Sequence, residues 1–238
     1  MMRKIFKNLT TRLLLLIGKS KYQILKIHTI NILSYFGFSN SQNRMDIAII
    51  EFFNHKKNGI CMEVGGADGI DQSNSLYLER KYNWNTYLIE PTSHQFELCK
   101  KFRKKATVDR YAFCSNESFK VTKSIDIELN GLMSKISSLN NNLSPITENI
   151  ENVPTNTLDN YFKNNKITSI DILILDVEFY EINVLDGYTS NTNIIDYLLV
   201  EAWHPKDFDS YANKQGWKFI KKIGTDRLYA LSNQALKT

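Results

Sequence analysis

The spacing of apolar positions changes along the chain. From Met1 to about Ser41, apolar residues (Ile5, Phe6, Leu13 to Ile17, Ile24, Leu25, Ile27, Ile30, Leu33) are interspersed with bases, the pattern of one or two amphipathic helices. The segment MDIAIIEFF, starting at Met45, keeps helical spacing and stops at the basic, Gly-terminated HKKNG. Beyond it, short apolar runs alternate with helical ones. Strands are expected at 59–66, 85–91, 107–116, 169–178 and 194–202, and helices at 71–82, 94–105, 156–165, 181–188 and 206–215. Segments 217–224 and 227–233 form a terminal hairpin around Gly224–Asp226. Residues 117–155 read as polar and irregular, with short strands at most.

Strand–helix alternation implies an α/β fold with a parallel sheet and helices on both faces. Five parallel strands plus the hairpin make seven. SIDILILDVE and IIDYLLVEA read as continuous apolar runs and so belong at the centre of the sheet. The expected division is a basic helical arm over 1–44 and one domain over 45–238.

Of the 238 residues, 42% are hydrophobic and 12% aromatic, enough for a real core and incompatible with disorder. Three cysteines without zinc-type spacing exclude a disulfide scaffold and point to a reducing compartment, hence the cytoplasm. The net charge of +5 is uneven. Residues 1–45 carry eight bases and no acid, whereas the remainder carries 22 bases against 25 acids. A body of that charge is not a nucleic-acid binder. The arm has too short an apolar run and no small-residue cleavage site for a leader, and no stretch is long enough to cross a bilayer. It reads as a helical lid on the domain, as a basic helix lying on an anionic membrane at the inner face, or as an oligomer contact.

In doubly wound sheets, ligands sit beyond the carboxyl ends of the strands. The first such turn is Glu63-Val64-Gly65-Gly66-Ala67-Asp68-Gly69. It does not fit the dinucleotide fingerprint G-x-G-x-x-G, because Ala67 stands where the second glycine should be. Glu63 and Asp68 would repel a pyrophosphate by several kcal/mol, on the order of a close like-charge pair at low dielectric. A cationic ligand is favoured instead, and S-adenosylmethionine offers a sulfonium and an ammonium. Glu90, ending the second strand, suits ribose hydroxyls. Ser115, near the end of the third, could edge the adenine. Gly65, Asn74 and Asp176 complete the cofactor-binding candidates.

Taken together, MEVGGADGIDQSNSLYLERKYNW, YLIEP, VPTNTLDNYF and DILILDVEFYEINVLDGY resemble the FkbM-type methyltransferases over roughly residues 47–232. The resemblance implies a class I, Rossmann-like, S-adenosylmethionine-dependent O-methyltransferase of the kind found in glycan and natural-product biosynthesis. The acceptor it implies is a sugar or sugar nucleotide for a capsule or other surface polysaccharide. The chain departs from the family pattern at Gly66 and Ala67, where Ala and Asn are usual, and at Phe179, which replaces a glycine.

A sugar hydroxyl is a poor acid, so its methylation calls for a base or a metal. Asp176, Glu178, Glu201 and His204 follow the fourth and fifth strands. Asp176, Glu201 and His204 form a candidate divalent site for Fe(II), Mn or Mg, resembling that of catechol-type O-methyltransferases. Without metal, His204 is the candidate base, oriented by Asp176 or Glu178. Residues 117–155, among them Met133, Ser134 and Lys135, together with the arm, are expected to bind the acceptor. Two rival readings are a non-catalytic membrane-surface module that keeps the fold and, more weakly, a nicotinamide-dependent oxidoreductase.

Overall fold

The computed structural model describes residues 19–130, 134–136, 149–189 and 193–231. Its frame is a seven-stranded sheet of order β3-β2-β1-β8-β9-β11-β10. The strands are β1 (Ile60–Val64), β2 (Asn85–Ile89), β3 (Thr107–Asp109), β8 (Ile170–Leu175), β9 (Ile195–Val200), β10 (Trp217–Ile223) and β11 (Asp226–Leu231). β3, β2, β1, β8 and β9 run parallel to one another, while β11 is antiparallel to both β9 and β10. This is the parallel sheet with a C-terminal antiparallel hairpin that the pattern predicts. The chain order reverses at β1, which lies between β2 and β8, so a crevice forms there.

Alternate residues of the central strands face opposite layers. Ile172 and Ile174 join Ile49, Ile50, Leu78 and Trp84 on one side. Leu173 and Leu175 join Tyr161, Phe162, Val184 and Phe208 on the other. All six residues of β8 are buried, as its uninterrupted apolar run requires.

The helices are α1 (Lys19–Tyr35), α2 (Met45–Phe52), α3 (Leu76–Tyr82), α4 (Ser93–Phe102), α5 (Asn116–Val121), α6 (Leu158–Asn165), α7 (Glu181–Leu185) and α8 (Pro205–Lys214). α1 packs on the domain through Ile27 and Ile30 against Ile70, Leu76, Leu98 and Phe102. The arm before Lys19 lies outside the described residues.

Three expectations change. The helix expected from 71 begins at Leu76, because the backbone before it donates to a buried carboxylate, described below. The third strand is split: Ala112–Phe113 (β4) leaves the main sheet and pairs with β7 (Ile150–Asn156). The stretch read as irregular contains α5 and most of a second sheet, β4-β7-β5-β6, with β5 at Ser124–Glu128 and β6 at Lys135–Ile136. Met133 lies outside the described residues.

Candidate active site

The turn after β1 is fixed by backbone crowding. Gly65 has φ +88°, and a Cβ there would lie 1.9 Å from the Asp176 carbonyl oxygen. Only glycine lets the ends of β1 and β8 approach this closely. The amides of Gly65 and Gly66 donate to Ile89 O at 2.9 and 3.2 Å, and Asp176 N donates to Val64 O at 3.1 Å. Ala67 is left-handed at φ +47°. Asparagine tolerates that conformation better than alanine, which gives the family's usual residue there a physical reason.

Beyond these strand ends lies a cleft open to solvent. Its floor is Val64, Gly65, Asp176 and Val177, and its walls include Glu90, Gln95, Tyr111, Phe113 and Glu178. Ile127, Ser134 and Ile136 of the second sheet close one side. Among the described residues lining it are three carboxylates and no lysine, arginine or histidine.

Glu90 is held rigidly. Ala67 N donates to it at 2.9 Å, and Thr92 donates twice, from N at 2.9 Å and Oγ1 at 2.7 Å. Burial nevertheless dominates and pushes its carboxyl up to about 7, against those hydrogen bonds. Asp176 is exposed to solvent in the open cleft, yet its carboxyl is raised well above the usual carboxylate range, first by desolvation from the protein around it, then by the Glu201, Glu178 and Asp226 charges and a hydrogen bond with Glu201. Asp226 is itself raised to about 6, chiefly by burial. Such a crowd of acids favours a cation in the cleft, which would return Asp176 toward its ionised form.

The other candidates are placed differently. Glu63 and Asp68 are buried but are not among the cleft-lining residues. Glu63 accepts from Ser73 Oγ at 3.0 Å, Asn74 N at 2.8 Å, and Ser75 N and Oγ at 3.3 and 2.5 Å. These bonds are what delay α3. Arg103, fully buried, ties the same stretch together. It donates to Gly69 O at 2.8 Å, Ser73 Oγ at 3.1 Å and Ser75 Oγ at 3.0 Å, and it pairs with Glu79 at 3.0 Å. Asp68 Oδ1 accepts from the amides of Ile70 and Asp71 at 2.8 and 2.7 Å. Asn74 Oδ1 accepts from Ser41 Oγ, joining the turn to the segment after α1. Ser115 caps α5, accepting from Ser118 N at 3.0 Å. At the end of the third strand, Tyr111, Ala112 and Phe113 reach the cleft in its place.

β8 and β9 are neighbours, so Asp176 and Glu201 meet as expected. His204 does not join them: it stands exposed just before α8. Among the described residues no three His, Cys, Asp or Glu side chains are arranged to hold a metal ion. The expected Asp176–Glu201–His204 donor set is therefore not assembled, because the chain turns outward between Glu201 and α8.

Two features escape the sequence. Asp226 comes from the hairpin turn, where an acid looks like a solvent residue. Glu178 and Phe179 are both left-handed, at φ +50° and +72°, and Phe179 stacks on Trp203 with centroids 4.7 Å apart and planes 26° apart. Consecutive strained non-glycine residues cluster at functional sites. Glu181, at the start of α7, is buried, raised to about 7 mainly by that burial, and bonded by backbone groups of Val177, Phe179 and itself.

No curated protein matches the sequence. Among solved structures, the chain is similar to a SAM-dependent methyltransferase from Aquifex aeolicus, at 10% identity and a TM-score of 0.46, covering 81% of this chain and 94% of that one. It is similar to the METTL16 methyltransferase domain at 10% identity and 0.46, covering 79% of this chain and 66% of that one. A third likeness is a TehB-like SAM-dependent methyltransferase from Corynebacterium glutamicum, at 11% and 0.42, with coverages of 78% and 85%. The Methyltransferase FkbM domain model matches residues 63–227. With that match over the sheet that carries the cleft, the chain belongs to the FkbM methyltransferase domain family and is an S-adenosylmethionine-dependent methyltransferase.

Proposed function

We propose that the protein methylates a hydroxyl group of a sugar or sugar nucleotide, with Asp176 as the proton acceptor. The observation that carries this reading is the composition of the cleft: Glu90, Asp176 and Glu178 line it, and no basic side chain does among the described residues. Such a wall takes a sulfonium and an ammonium and rejects a phosphate. When bound, S-adenosylmethionine supplies an already activated methyl group, so the protein's part is alignment and proton removal. Glu90, oriented by Ala67 and Thr92, accepts from the ribose hydroxyls. Gln95 Oε1, buried without a protein partner, is available to the adenine amino group. Asp176, kept in its ionised form by the bound cation, takes the hydroxyl proton.

The sugar assignment rests on family resemblance and is supported by the Phe179–Trp203 pair. A stacked aromatic surface beside a carboxylate suits a ring with one C–H face and several hydroxyls. The test is incubation with labelled S-adenosylmethionine and a panel of sugars and sugar nucleotides, with and without EDTA. Label in a sugar ether, unaffected by EDTA, is expected. Phe179→Gly should raise the acceptor KM about tenfold or more while leaving cofactor affinity within about twofold, the cost of one aromatic face. Transfer to a non-sugar acceptor with none to sugars would refute the assignment.

A further inference from the structure

α1 is apolar on two opposite faces. Ile27 and Ile30 turn inward onto the domain. Leu25 and Ile32 turn outward, continued by Phe36 just past the helix end and flanked by Ile24 and Leu33. Phe36 is 73% exposed, Phe38 60% and Ile32 58%. An apolar helix face is normally covered. Seven of the thirteen exposed large hydrophobic residues among those described fall between Ile24 and Phe38. The concentration is therefore a patch, and patches of this kind mark interaction surfaces.

Charge identifies what covers it. Residues 1–45 hold eight bases and no acid, and Lys21 sits exposed one turn before Leu25 on the same stripe. The eighteen residues before α1 repeat the composition, with Arg3, Lys4, Lys7 and Arg12 among Ile5, Phe6 and Leu13 to Ile17. Two copies of so basic a segment repel each other, whereas an anionic surface attracts it. Among the described residues no helix is long and apolar enough to cross a membrane. We propose that the outer face of α1, with the basic residues around it, docks the enzyme on the surface of a bilayer rich in anionic lipid headgroups. The apolar stripe would enter the headgroup boundary while lysines and arginines engage lipid phosphates.

The docking face is tied to the catalytic frame. Lys26 pairs with Asp71, Asn40 Nδ2 donates to Ile70 O at 2.9 Å, and Ser41 bonds Asn74. A surface held by α1 is thereby coupled to the loop that follows β1, so the enzyme would present its site in a fixed orientation to the membrane.

The test is co-sedimentation of the full chain with phosphatidylcholine vesicles and with vesicles containing about one-third phosphatidylglycerol. Binding to the anionic vesicles is expected to be about tenfold or more stronger, and to fall as salt is raised. The triple variant Leu25→Glu, Ile32→Glu, Phe36→Glu should lose about tenfold or more of that binding. Its melting temperature and S-adenosylmethionine affinity should be unchanged, because these side chains face away from the domain. Absence of binding to anionic vesicles, equal binding to neutral ones, or a triple variant that binds like the parent would overturn the proposal. A light-scattering dimer abolished by the triple variant, with no vesicle binding, would assign the patch to a second copy.

Discussion

Replacing Glu90 separates cofactor binding from folding. This carboxyl is 5% exposed and raised from 4.5 to about 7 by burial. That difference corresponds to about 3 kcal/mol. The unfolded chain releases the proton near pH 4.5, the folded, cofactor-free chain only near 7. Between those values the folded state binds more protons, so stability falls as pH rises: the group's contribution is full below pH 4.5 and is lost by pH 7 and above. Glu90→Gln removes this ionisation. It also weakens the bonds from Ala67 and Thr92, at a pH-independent cost of about 1–2 kcal/mol. Urea unfolding of the two proteins across pH 5–8 should give curves that converge or cross as pH rises. The variant should gain about 2–3 kcal/mol on the parent over that range, and the comparison cancels other titrating groups. Calorimetry at pH 8 should show the reverse for the ligand. Each hydroxyl donated to an ionised carboxylate is worth about 1.5–3 kcal/mol, so Glu90→Gln should weaken S-adenosylmethionine binding about 10- to 100-fold and Glu90→Ala further. An unchanged dissociation constant would remove the ribose role, and parallel stability curves would remove the raised pKa.

Gly65→Ala places a methyl group 1.9 Å from the Asp176 carbonyl in a left-handed backbone; it should cost more than about 3 kcal/mol by chemical denaturation and abolish cofactor binding, and near-parental stability would refute the close approach. Glu63→Gln leaves buried donors at Ser73, Asn74 and Ser75 poorly matched and should cost about 2–4 kcal/mol. Its cofactor affinity, measured at a temperature where it is folded, should stay within about threefold, and a far larger loss would return Glu63 to the binding site. Asp176→Asn should lower kcat about 100-fold or more, whereas His204→Ala should change it less than about threefold; the opposite ranking in a methyl-transfer assay would restore the histidine as base.

The main sheet was legible because its strands are short apolar runs between turn residues, and β8, buried along its whole length, is the clearest of them. The second sheet was not. β7 (IENVPTN) contains Pro154, and its apolar Ile150 and Val153 lie three positions apart, so no alternating apolar pattern marks it as a strand, and α5 is too short at six residues to show a helical period. The third strand breaks because Ala112 and Phe113 find their partners in Thr155 and Asn156, more than forty positions away, a pairing no local pattern contains. Glu90 and Asp176 were readable as strand-end acids. Asp226 was not, since it approaches Asp176 and Glu201 only through the folding back of the hairpin onto β9.

The sign of the cleft survives the reassignment of its acids. An acid beside a glycine turn can face a ligand or can collect nearby backbone amides, and spacing along the chain does not distinguish the two. Glu63 and Asp68 lie where residues 69–75 leave strand and helix geometry, so unpaired amides of Ile70, Asp71, Asn74 and Ser75 surround them and take their oxygens. Glu90, Asp176 and Glu178 end strands or begin the next turn at the point where chain order reverses, and they open into the crevice. Glu90 is buried, and desolvation by the surrounding protein is the first cause that raises its carboxyl and that of Asp176. A diphosphate would add further negative charge to that wall, while a cation would relieve it. Selectivity for a cationic methyl donor thus resides at the ends of β2 and β8, and the acids of the first turn contribute by holding the loop that shapes the crevice.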